Sequence, residues 1–222
     1  MPKFARLVVP GCPHHVTQRG NRRQKVFFSE NDKKFYLRLI KRLGRKNGLA
    51  FLAYCLMDNH VHLIVIPETK ESLSRAVGET HRLYTTAVNI REEWKGYLWQ
   101  GRFSSFPLSD RHLFEAVRYV ELNPVRAGIV DQPEDYPWSS ARARIFRTND
   151  PLVSANERLF SIVDWPAYLN ETGDSKFEAA FKRHQKTGRP MGDDRFLGKL
   201  ETLTGRKLLP LKRGRKPKNM VN

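Results

Sequence analysis

The stretch Ala50-Phe51-Leu52-Ala53-Tyr54-Cys55-Leu56-Met57-Asp58-Asn59-His60-Val61-His62-Leu63-Ile64-Val65-Ile66 decides the fold. Two apolar runs, 50–57 and 60–66, flank the dipeptide Asp58-Asn59. Both residue types tolerate positive φ, so the segment predicts two strands joined by a tight hairpin. Residues two apart on a strand point to one face, so His60 and His62 present paired imidazoles.

Outward from this hairpin the pattern repeats. Residues 13–19 read as a strand ending at Gly20, followed by the basic loop 21–25. A helix follows, with Ser29 and Asp32 in a capping arrangement, Tyr36, Leu39, Ile40 and Leu43 at helical spacing, and Gly48 as a left-handed terminator. After the hairpin, Leu73, Val77, Thr80, Tyr84 and Val88 mark a second helix and 102–108 a further strand. Ser109 or Asp110 can cap a third helix, whose apolar stripe is Leu113, Val117 and Val120. Strand, helix, strand, strand, helix, strand is the split βαβ order of an α+β, ferredoxin-like antiparallel sheet. Residues 131–137, rich in proline and acid, suggest a boundary. The expected organisation is a catalytic domain over 1–130, a small helical, basic extension over 131–205, and a flexible basic tail over 206–222. Helical patterns are read over 177–184 and 195–203.

Composition narrows the class. The 222 residues carry 40 Lys+Arg against 23 Asp+Glu, a net charge of +17. A folded chain tolerates that self-repulsion when its partner is a polyanion, most often nucleic acid. Hydrophobic residues make up 40%, enough for a packed core. An anionic membrane surface is the other polyanion, but no apolar stretch reaches the roughly 20 residues that span a bilayer, and no signal-peptide pattern opens the chain. Cys12 and Cys55 form no metal or disulfide framework and read as reduced thiols of a cytoplasmic protein.

The histidine pair has two readings: half-buried residues of an ordinary sheet, or two neutral ligands of a divalent metal. Two unpaired imidazoles on an apolar strand are costly without a partner, which favours the metal, but a third ligand is required. Tyr119 and Asn123 lie four apart on the third helix, one turn from each other and pointing away from the apolar stripe. Here too a plain structural role is available. Asn123-Pro124 is an ordinary start for a new helix, and helical tyrosines often pack.

Three segments together, Met57-Asp58-Asn59-His60-Val61-His62-Leu63, Trp99-Gln100-Gly101-Arg102-Phe103 and Tyr119-Val120-Glu121-Leu122-Asn123-Pro124-Val125-Arg126-Ala127-Gly128, resemble the REP-associated tyrosine transposases. These belong to the HUH (His-hydrophobe-His) single-tyrosine, IS200-like superfamily. The resemblance covers about 13–130, and more loosely Thr187-Gly188-Arg189-Pro190 and the basic tail. It implies a metal-dependent endonuclease and strand transferase, with Tyr119 as nucleophile forming a 5′-phosphotyrosine. It also implies His60, His62 and Asn123 as metal ligands, and Mg²⁺ or Mn²⁺ as the metal. Two imidazoles and an amide would by themselves suit zinc or manganese better than magnesium. Members commonly carry proline where this chain has Asp58, which points to an altered hairpin turn and an acid near the metal.

The implied substrate is single-stranded DNA beside a repetitive extragenic palindrome hairpin, acted on in the cytoplasm at the nucleoid. The expected DNA contacts are Arg19, Asn21, Arg22, Arg23 and Lys25 near the first strand, then Arg102, Arg189, Arg206 and Lys207, and finally Lys212, Arg213, Arg215, Lys216 and Lys218 in the tail. Basic hooks of the Gly-Arg-Pro kind also suit a minor groove. A monomer is favoured over the homodimer of small insertion-sequence transposases, since the C-terminal extension can replace the partner. Two other readings stand beside this one: a non-catalytic hairpin-binding regulator, and a replication-initiator or relaxase-type nuclease. The compact core and single helical tyrosine argue against the latter.

Overall fold

The computed structural model describes residues 6–153, 159, 164–171 and 174–209. Four strands, β1 (His14–Arg19), β2 (Leu49–Met57), β3 (His60–Pro67) and β4 (Ser104–Pro107), form one sheet in the order β2-β3-β1-β4. All neighbouring pairs are antiparallel, the ferredoxin-like arrangement expected. The helices are α1 (Glu30–Lys46), α2 (Glu79–Arg91), α3 (Asp110–Glu121), α4 (Asn123–Arg126), α5 (Ala141–Ile145), α6 (Trp165–Asn170), α7 (Ser175–Thr187) and α8 (Asp194–Thr204). None is long and apolar enough to cross a membrane.

Local sequence explains the main elements. Ser29 and Asp32 close a reciprocal capping box at the start of α1, a motif worth about 1 kcal/mol. Asn47 caps its end and Gly48 follows with a φ of +60°. The run expected as one helix from Leu73 instead begins with a π-helical turn, Ser74–Gly78, before α2.

The hairpin departs from expectation in its turn. Met57 pairs with His60, so only Asp58 and Asn59 form the loop, yet neither has positive φ. Tertiary contacts hold it instead. The Asp58 carbonyl accepts from the N–H groups of Val26 and Phe27, and its carboxylate accepts from Lys33 Nζ at 2.8 Å. Burial opposes ionisation there, but Lys33 and Lys25 hold the carboxyl below its usual range. Asp58 therefore serves these lysines.

Strand alternation sorts the core into two faces. Val16, Tyr54, Leu56, Val61, Leu63 and Val65 join Tyr36, Tyr84 and Trp99 beneath α1 and α2. Ala53, Cys55, Ile64 and Phe106 join α3, Trp165 of α6 and Phe177 and Phe181 of α7 on the other side. Residues beyond 130 thus complete this second face. Trp138 and Ser139 run along the edge of β2, where Leu56 N–H donates to the Trp138 carbonyl. The buried Glu121 carboxylate binds Ser140, Arg144 and Trp165 Nε1, which ties α3 to the later segment through a fully partnered charge.

Candidate active site

The register of β1 against β3 places Arg19 opposite His60, Thr17 opposite His62 and His15 opposite Ile64. Cross-strand partners share a face, so these side chains all lie on the α3–α7 side of the sheet. His60 and His62 stand with ring centroids 4.9 Å apart at 82°. Burial holds both neutral. His60 is brought down to about 3, with the Arg19 charge adding to the effect, and His62 lies well below its ordinary value, helped by His15, His60 and Arg19.

The hydrogen-bond pattern fixes one tautomer. Asn59 Nδ2 donates to the Arg23 carbonyl at 3.2 Å, which orients the amide so that Oδ1 faces His60 Nδ1. That nitrogen must carry the proton, leaving a lone pair on Nε2. His62 Nδ1 lies 2.8 Å from His15 Nε2, so its own Nε2 is likewise the nitrogen without a protein partner among the described residues. Neither Nε2 is a buried orphan, so both reach solvent. His60 offers its Nε2 lone pair, and His62 offers the same when its Nδ1–H donates to His15; two such neutral imidazoles fit a divalent cation. Among the described residues no three His, Cys, Asp or Glu side chains gather closely enough to complete such a site.

His15 was not singled out from sequence. It is fully buried, stacked 5.1 Å from His62 and packed 4.7 Å from Phe181, and its Nδ1 has no partner. The signal was present in the doublet His14-His15, since His15 has the parity that faces His62. His14 has the opposite parity and accepts from the Val9 N–H instead.

Tyr119 comes from α3 to the same place, its ring centroid 6.1 Å from that of His62. It is only 8% exposed and belongs to the core cluster that holds Leu113, Val117 and Val120. This corrects the expectation that it points away from that stripe. The reason is that α7 roofs the second side of α3, with Phe181 at 4.6 Å from the tyrosine ring. The Tyr119 hydroxyl makes no hydrogen bond to a described residue and is not a buried orphan, so it opens to solvent. Burial raises its pKa and the Glu178 charge adds to that, while Arg126, whose guanidinium stands 4.7 Å over the ring, and Arg19 work the other way. Arg126 is itself held by Glu178 of α7 at 2.7 Å. Asn123 Nδ2 donates to the Tyr119 carbonyl at 3.0 Å, leaving Oδ1 as its remaining ligand atom.

The expected DNA contacts separate into groups. Arg19 ends β1, Asn21, Arg22 and Arg23 form the 3₁₀ turn that follows, and Lys25 lies just beyond it, all at the histidine end of the sheet. Arg102 lies near Arg6, whose pKa falls to about 10 through burial and that neighbouring charge, and Arg206 donates to the Arg6 carbonyl at 3.4 Å. Arg6, stacked 3.5 Å over Phe103, is thus a further cation of that group which sequence did not single out. Arg189 and Lys207 are exposed. Lys212, Arg213, Arg215, Lys216 and Lys218 lie outside the described residues. Two clefts, of about 630 and 580 Å³, are lined by neither His60, His62 nor Tyr119.

Comparison with known proteins settles the family, because the model of the family described as "Transposase IS200 like" matches residues 8–123, more than half of the chain. The chain belongs to the IS200-like transposase family. A REP-associated tyrosine transposase of Escherichia coli (strain K12) is 24% identical over 170 residues, covering 72% of this chain and 100% of that protein. A solved REP-associated tyrosine transposase bound to a REP hairpin matches with a TM-score of 0.56 and 22% identity, covering 70% of this chain and 93% of the other. That likeness shows the shared fold. As an IS200-like transposase the chain is an enzyme of single-stranded DNA, and its family match spans both the histidine strand and the tyrosine helix.

Proposed function

We propose that this IS200-like transposase cuts and rejoins single-stranded DNA at repetitive extragenic palindrome hairpins, with Tyr119 as the nucleophile. The observation that carries the reading is the meeting, within one chain, of the His60–His62 pair and the Tyr119 ring of the neighbouring helix, 6.1 Å from that of His62. The hairpin substrate rests on the likeness to REP-associated tyrosine transposases, one of them solved with a REP hairpin.

Tyr119 Oη attacks the scissile phosphorus, the Oη–P bond forms, and the P–O3′ bond breaks to leave a free 3′-OH. One phosphodiester replaces another, so rejoining requires no external energy. His60 and His62 would hold a divalent metal, Mg²⁺ or Mn²⁺, with Asn123 Oδ1 as the third ligand. The bound ion supplies Lewis-acid activation and orientation of the phosphate. Asn59 and His15 orient the two imidazoles from behind. Arg126 offsets part of the burial that raises the Tyr119 pKa. Arg19, Asn21, Arg22, Arg23 and Lys25 contact the strand near the cut, while Arg102, Arg189, Arg206, Lys207 and the tail from Lys212 to Lys218 grip the hairpin.

The meeting of His62 and Tyr119 within one chain supports action as a monomer, and the substrate proposed for it is DNA of the cytoplasm, at the nucleoid. The catalytic unit expected to end near 130 shares its second core face with the later helices, and in this reading those same later residues add the hairpin grip. The direct test is incubation with a labelled hairpin carrying an unpaired flank and Mn²⁺, followed by a denaturing gel. A covalent protein–DNA band is expected from the native chain. Its persistence in Tyr119→Phe would refute the assignment.

A further inference from the structure

Beside the basic turn lies a group of aromatic side chains that the chemistry above does not use. Tyr97 is 86% exposed, Trp94 46% and Phe28 42%. A compact fold usually buries such rings, and an exposed cluster of them marks a binding surface. Phe28 and Trp94 meet edge to face with centroids 5.5 Å apart, and the Arg91 guanidinium lies 5.9 Å over Phe28.

The two segments that carry these rings are fastened together and to the histidine end of the sheet. Asn21 N–H donates to the Leu98 carbonyl at 2.9 Å, and Gln24 Nε2 reaches the same oxygen. Leu98 adjoins Tyr97, while Gly20 N–H donates to the Asn59 carbonyl, next to His60. The turn is shaped with care. A Cβ on Gly20 would lie 2.2 Å from the Gln24 carbonyl oxygen, so only glycine permits this closure. Arg22, Arg23 and Glu93 all have left-handed φ, at 51°, 63° and 56°, and Arg147 is the one other described non-glycine residue that does. Such strain tends to persist where function requires the shape.

Charge indicates what covers the rings. Arg22, Arg23 and Lys95 are exposed and make no ion pair with a described residue, whereas nearby Glu92 is paired to Arg91 and Lys25 to Asp58. Glu93 is the exposed acid among them. Flat π-faces interleaved with uncommitted cations match unpaired nucleobases on a phosphate backbone, since every base can stack and every linkage carries charge.

We propose that Trp94 and Tyr97, supported by Phe28, form a stacking platform for unpaired bases of the substrate strand, with Arg22, Arg23 and Lys95 on its phosphates. The proposal rests on the single-stranded DNA reading and extends it to a defined surface. The strand runs from the histidines over the basic turn to the aromatic rings.

The test is a binding measurement in the Tyr119→Phe background, so that no cutting intervenes. The probes are a fluorescein-labelled oligothymidylate of about ten nucleotides and a blunt DNA hairpin without unpaired bases. Trp94→Ala with Tyr97→Ala is expected to weaken oligothymidylate binding by about tenfold or more, since one stacked base accounts for about that factor. Affinity for the blunt hairpin should hold, and Trp94→Phe with Tyr97→Phe should restore oligothymidylate binding. Quenching of tryptophan fluorescence by oligothymidylate should fall on Trp94→Phe. Unchanged oligothymidylate affinity, equal loss for both probes, or a shift in sedimentation without loss of DNA binding would each overturn the platform while leaving the Tyr119 reading intact. Failure of Tyr119→Phe to bind either probe would sink both.

Discussion

The sheet carries a histidine–tyrosine pair on each face, and the two differ in one bond. Under α1 and α2, His81 and Tyr36 stack with centroids 5.8 Å apart, and the Tyr36 hydroxyl meets His81 Nε2 at 2.9 Å. Under α3 and α7, His62 and Tyr119 lie 6.1 Å apart and no hydrogen bond joins them. Tyr36 is fully buried, and its phenol is spent inside the core. Tyr119 is nearly as buried as a ring, yet its hydroxyl and the adjacent Nε2 atoms stay open. Similar residues at similar separations thus make a closed core on one side and an open polar edge on the other. The difference lies in which polar atoms already have partners.

Four experiments test this contrast. The largest effect belongs to Tyr119→Phe, which should abolish the covalent DNA adduct on a denaturing gel while the melting temperature holds. Tyr36→Phe should keep the adduct.

Acid should act on both faces at once. Burial holds His14 at about 4 and His15, His60 and His81 at about 3, against an unfolded value of 6.5. Above 6.5 both states are neutral and stability is flat. As pH falls below 6.5 the unfolded chain takes up protons that the folded chain refuses. Stability should then drop by up to about 1.4 kcal/mol per pH unit per histidine. Melting scans at pH 7, 6 and 5 would show it, and a flat series would mean that these rings titrate while folded.

Next comes His15→Leu, which removes the group behind His62. A loss of about 10- to 100-fold in Mn²⁺ affinity is expected by calorimetry, the range for supporting partners of metal-bound histidines. Unaltered affinity would make His15 a packing residue like His81. The smallest effect is that of Tyr36→Phe on stability. It should lose about 1–3 kcal/mol in urea unfolding because His81 Nε2 is left buried without a partner. A Tyr119→Phe variant losing as much would erase the distinction between the faces.

Much of this was legible in the sequence. The capping box at Ser29 and Asp32, the pairing of Met57 with His60 and the shared face of His60 and His62 follow from local rules. What was not legible depends on residues far apart in the chain. The burial of Tyr119 comes from Phe181, 62 positions later, and no pattern within α3 announces a second covering helix. The shape of the Asp58-Asn59 turn depends on Lys33 and the Val26–Phe27 backbone, so the turn propensity of the dipeptide misjudged its φ angles. Residues 131–137 read as a boundary by composition, but β2 had an unpaired edge, and Trp138 and Ser139, directly after that stretch, supply it.

Phe181 packs on Tyr119 and on His15 alike, yet it lies well beyond the stretch that the family shares. Tyr119 and the His15 ring behind His62 therefore lean on a ring that descent within the wider family does not guarantee. A chimera that joined this catalytic core to a relative's C-terminus would need a side chain of matching bulk there, or it would inherit a hole of the size that costs about 3–5 kcal/mol when phenylalanine is truncated to alanine. Sequence change at this end of the chain is thus free only as far as that one ring stays in place.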